Sequence, residues 1–139
     1  MSAVVLLDTN VLSEALRKQP ALAVMKALRA LRPEERFASE VTRYELRAGA
    51  ARLDDDGRLW RRIQQEVLPL VRWLPFDEAA ALAAADIGAA LKRRGETVEA
   101  TDLFIAATAL VRGLIVSTRN VRHFERVPGL VVENWFPGE

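Results

Sequence analysis

Three acidic residues stand where a carboxylate could do chemistry, and each also admits a plainer reading. Asp8 directly follows the apolar run Val4-Val5-Leu6-Leu7. A carboxylate there lies at the C-terminal end of a buried strand, the edge at which open α/β sheets bind ligands. The same position also suits a helix cap. Thr9 and Asn10 add two polar oxygens fit for cation or phosphate contacts. Glu45 belongs to a helix whose apolar stripe reads as Val41, Tyr44 and Ala48. At about 100° per residue it falls roughly 70° from the centre of that stripe, at the edge of the buried face. A snorkelling or ion-paired glutamate, with Arg47 and Arg52 near in sequence, fits equally well. Asp102 opens the apolar helix Leu103-Phe104-Ile105-Ala106-Ala107, where the helix dipole favours an acid whatever the function. Thr118-Arg119-Asn120 follows another short apolar segment and reads either as a polar site segment or as a turn.

Composition narrows the chemistry. The 139 residues include no cysteine and one histidine, His123. Disulfides, zinc–thiolate sites and thiol nucleophiles are therefore excluded, as is a multi-histidine metal site. Lys plus Arg number 20 against 19 Asp plus Glu, for a net charge of +1, so a polyanion would have to be met by a local patch rather than by bulk charge. Half the residues are hydrophobic and 28% are charged, which is globular composition. The N-terminal apolar run is short and lacks a basic flank, so neither a signal peptide nor a membrane span is expected. The expectation is a soluble, reduced, cytoplasmic protein.

The elements that must position these residues alternate in type. Short apolar runs at 3–7, 36–39, 71–76, 114–117 and 130–133 read as strands. Helices are expected at 10–18, 21–31, from the Ser39 or Thr42 cap to Arg52, from the acidic turn 54–56 to Leu68, at 77–94, and from Thr101 or Asp102 to Arg112. Gly95 and Gly113 are the expected stops of the last two. With no repeat, low-complexity tract or linker, the reading is one α/β domain over 1–139, with a parallel sheet covered on both faces.

Taken in order, Leu7-Asp8-Thr9-Asn10, Glu45-Leu46 with Gly49, 102–109 and 117–124 form a pattern. On these segments the chain resembles PIN-domain ribonucleases, most closely the VapC toxins of prokaryotic toxin–antitoxin pairs. The resemblance runs from the first strand to Val132-Glu133-Asn134-Trp135. It implies a three-layer α/β/α fold with strand order 3-2-1-4-5, which sets Asp8 beside Thr118 at a topological switch point. It further implies that Asp8, Glu45 and Asp102 are catalytic metal-binding acids and that Asn120 stands at a fourth catalytic position, where many relatives carry an acid. Hard oxygen donors of this kind select Mg²⁺ or Mn²⁺. The implied reaction is hydrolysis of an RNA phosphodiester by metal-activated water, with Thr9, Asn10, Thr118, Arg119 and Arg122 at the substrate and Arg126 a further candidate. The implied partners are a second copy in a homodimer and a VapB-like antitoxin lying along the helices, for which the stripes at 22–31 and 59–70 are candidate surfaces that fit the core equally well. The alternative is a catalytically weak PIN-like module acting as a DNA-bound regulatory or scaffold partner, which Asn120 leaves open. A haloacid-dehalogenase-type phosphohydrolase fits poorly, because Asn10 stands where that class needs a second Asp.

Overall fold

The computed structural model describes residues 4–138. At its centre lies β1 (Val5–Leu7), buried at all three positions; Ala3, expected in this strand, lies outside the described residues. Successive side chains of a strand point to opposite faces, and β1 divides the core accordingly. Val5 and Leu7 enter an apolar cluster with Leu12, Val24, Leu28, Leu46 and Ile63. Leu6 enters a second cluster with Ile87, Leu91, Ile105, Ala106 and Val116. A strand that is apolar at every position is one covered on both sides. The first cover comes from α1 (Thr9–Glu14), α2 (Leu22–Ala30), α3 (Glu40–Ala51) and α4 (Arg58–Glu66), and the second from α5 (Glu78–Arg93) and α6 (Ala100–Arg112).

The remaining strands are β2 (Arg36–Ser39), β3 (Arg72–Leu74), β4 (Ile115–Ser117) and β5 (Val132–Glu133). They complete a five-stranded sheet in the order β3-β2-β1-β4-β5, parallel at every pairing. The three layers and the strand order are those expected. Register is what matters for the site: Leu7 pairs with Ser117, so the next residues, Asp8 and Thr118, emerge side by side. The Asp8 N–H extends the ladder by donating to the Ser117 carbonyl at 2.9 Å.

Several boundaries differ from expectation, each for a local reason. α1 stops at Glu14, short of Lys18, because the Glu14 carboxylate turns inward and accepts from the Ala21 N–H at 2.7 Å, closing the loop. The acidic residues 54–56 precede α4 instead of forming its first turn. Gly57 starts that helix with φ 74°, and Asp55 accepts from the N–H groups of Gly57 and Leu59. α6 begins at Ala100, which makes Asp102 the third residue of the helix and not its cap. A short helix, α7 (Val121–Phe124), was not expected at all. The stripes proposed as partner surfaces are mainly core, since Val24, Leu28, Ile63 and Val67 are buried and only Leu22 stands out, at 71% exposed.

Gly113 ends α6 in the left-handed region, φ 68°, and turns the chain into β4. A Cβ there would meet no atom within 4 Å, so the cost of a side chain is purely that of the backbone conformation. Gly113→Ala is expected to lower stability by about 1–2 kcal/mol, read as a shift in the urea midpoint at unchanged slope.

Candidate active site

Two loops meet at the switch point, one leaving β1 and one leaving β4, and Asp8 is their junction. The residue is 3% exposed. Its Oδ1 caps α1 by accepting from the Thr9 N–H at 2.8 Å. Its Oδ2 accepts from the Thr118 hydroxyl at 2.8 Å and from the Asn10 amide at 3.2 Å. Asp8 thus caps α1 through one oxygen, as the capping reading expects, and through the other meets the loop that follows β4. Thr118 Oγ1 accepts in turn from the Asn120 N–H at 2.9 Å. Asn10 Oδ1 accepts from the Arg119 N–H at 3.1 Å, tying the two loops together.

Glu45 reaches this junction from α3. The Thr9 hydroxyl donates to Glu45 Oε1 at 2.6 Å and lies 3.1 Å from the Thr42 hydroxyl. The buried positions of α3 are Thr42, Leu46 and Ala50; the expected stripe through Tyr44 is wrong, for Tyr44 is 65% exposed. Glu45 still lies at the edge of the buried face, one residue before Leu46. Asp102, in the first turn of α6, is buried, and its Oδ2 lies 3.0 Å from Nδ1 of His123 on α7. The sequence places His123 in the 117–124 segment as the one histidine open to acid–base work, but gives it no partner and no role at the site.

Electrostatics link the three acids. Burial pushes the Asp8 carboxyl up from 3.8 to about 6; hydrogen bonds from Thr118 and Thr9 oppose the shift, while the charges of Asp102 and Glu45 add to it. Among the described residues, no three acidic or imidazole groups are close enough to hold a metal ion as they stand. The donor set nonetheless suits a hard divalent cation: three carboxylates on three elements, one of them buried and disfavoured as an anion. A cation would remove that penalty.

Beside the acids lies a groove of about 550 Å³ lined by Arg119, Asn120, Arg122, His123 and Asn134, among others. The Arg119 guanidinium packs over the Phe136 ring at 4.5 Å, and Arg122 is exposed at the groove. Asn120 joins the network through its backbone N–H and presents an exposed side chain. Arg126 does something else, donating to the Thr97 carbonyl at 3.0 Å and pinning the α5–α6 loop.

Fold and site together define an α/β domain with an acidic edge at its switch point. The chain belongs to the PIN-domain family, whose model matches residues 5–130. It is 40% identical to the toxin FitB of Neisseria gonorrhoeae over 94% of this chain and 98% of that protein. It is 36% identical to the VapC ribonuclease Y4jK of Sinorhizobium fredii over 96% of this chain and 99% of that one. Among solved structures, FitAB bound to a DNA fragment superimposes with a TM-score of 0.85 at 39% identity, covering 94% of both chains.

The raised Asp8 carboxyl has a consequence for stability without metal. Between 3.8 and about 6 the folded state binds more protons than the unfolded chain, so the Asp8 contribution falls as pH rises through that window and stays low above it. Asp8→Asn is expected to remove this contribution. In EDTA, its stability relative to wild type should grow from pH 4 to pH 7 by up to roughly 3 kcal/mol. Paired urea melts across that range check the sign.

Proposed function

We propose that this chain is a divalent-cation-dependent endoribonuclease and the toxin of a toxin–antitoxin pair. The observation that carries the reading is the electrostatic convergence of Asp8, Glu45 and Asp102 at one edge of a PIN-domain sheet. The names of the toxin FitB and of the VapC ribonuclease support it. Asp8, Glu45 and Asp102 would hold Mg²⁺ or Mn²⁺. When bound, the ion offsets phosphodiester charge, polarises a phosphoryl oxygen and lowers the pKa of water.

The chain's own groups do the rest. Thr118 and Asn10 orient the Asp8 carboxylate, and Thr9 holds Glu45. Arg119 and Arg122 flank the acids and would take the neighbouring phosphates of the RNA strand, positioning the scissile bond without reading sequence. Asn120, amide where an acid would add a fourth charge, would serve as a neutral donor to a phosphate oxygen. The charges of Asp102 and Glu45 acting on the buried Asp8 carboxyl favour this reading over a scaffold role. A VapB-like antitoxin and a second copy of the chain are the proposed partners.

RNA cleavage is therefore expected with Mg²⁺ or Mn²⁺ and none in EDTA, with Asp8→Ala, Glu45→Ala and Asp102→Ala each losing activity. Cleavage by metal-free protein would rule the mechanism out. In cells, expression should arrest growth, and co-expression of the adjacent small gene should relieve it; harmless expression of active protein would end the toxin reading.

A further inference from the structure

Asp102 is held differently from the other two acids. Asp8 and Glu45 are gripped by hydroxyl and amide groups of the β1 and β4 loops and the start of α1. The Asp102 carboxylate instead meets an imidazole, His123 Nδ1 to Oδ2 at 3.0 Å. That imidazole sits on a four-residue helix whose next residue, Phe124, is 1% exposed and packs in the same core cluster as Ile105 and Ala106 of α6. Phe124 thus fixes α7 against α6, and fixing α7 fixes the His123 backbone beside Asp102.

The His123 side chain is 46% exposed against 13% for Asp102, so it contributes little to the core. Phe124 already fastens α7, which leaves the polar pair with a narrower effect. An aspartate near a helix N-terminus has two soft torsions. One hydrogen bond from an anchored ring, with the proton on Nδ1, sets the plane of the carboxylate and leaves Oδ1 for another partner. Carboxylates that hold a metal ion are themselves hydrogen-bonded by neighbours that orient them.

We infer that His123 is a positioning residue for Asp102, holding its carboxylate by Nδ1–H to Oδ2 in the orientation that binds the divalent cation. It touches neither the ion nor the RNA in this role. The inference rests on the proposed reading of Asp102 as a cation ligand.

Titration calorimetry with MnCl₂ on the full chain, without RNA, tests it. The proteins are wild type, His123→Ala and His123→Asn; an asparagine amide can donate from near the place of Nδ1. His123→Ala should bind Mn²⁺ about 10-fold or more weakly, and His123→Asn should recover most of the loss. Melting temperatures in EDTA should stay close across the three, as expected for a half-exposed side chain. Equal or tighter Mn²⁺ binding by His123→Ala overturns the inference, as does an asparagine variant no better than alanine. If wild type binds Mn²⁺ and both variants match it, only the role of His123 fails. If wild type binds no Mn²⁺, the cation reading fails and this inference with it.

Discussion

An anion buried at the end of a parallel strand is costly unless something compensates it, and in this protein the compensation organises the surrounding structure. Asp8 emerges from β1 into a place with little solvent and with two other carboxylates close enough to oppose its ionisation. Two donors from the start of α1 and one from the loop after β4 meet its oxygens. They do not cancel the penalty, for the carboxyl remains pushed up to about 6. An edge left in that condition favours positive charge, and Arg119 and Arg122 line the adjoining groove.

The sheet order makes this possible. Because β1 is flanked by β2 on one side and β4 on the other, the loops leaving β1 and β4 open side by side while the helices they enter diverge. The crevice between them needs no special sequence beyond polar residues at the two strand ends. α3 and α6 then bring one acid each to the neighbourhood of Asp8, where the charges of both bear on its carboxyl.

Much of this was legible in the sequence because it follows from short-range patterning. An unbroken apolar run ending in Asp marks a central strand, and the glycine at 113 marks a helix end, as found. The fourth strand and the polar segment after it were placed to within a residue. What escaped depended on tertiary partners. The α3 stripe was assigned through Tyr44, yet tertiary packing selected Thr42, Leu46 and Ala50, two of them small or polar, as the buried face. α1 was drawn too long because a buried glutamate closing a loop leaves no periodic trace. The pairing of His123 with Asp102 joins residues 21 apart through a helix only four residues long, which no periodicity reveals.

One contact bears on how the molecule comes into being. The bond from Thr118 to Asp8 joins residues 110 apart, and Arg119 next to it rests on Phe136. Closing so long a loop is entropically expensive and contributes to slow folding. The acidic edge is therefore assembled only when the two ends of the described chain come together. A shortened product that stops before β4 could retain α3 and even α6 but would have no partner for β1 on that side and no hydroxyl for Asp8. Such fragments would carry acids without the assembled edge, so the geometry at Asp8 exists only in a chain that reaches past β4.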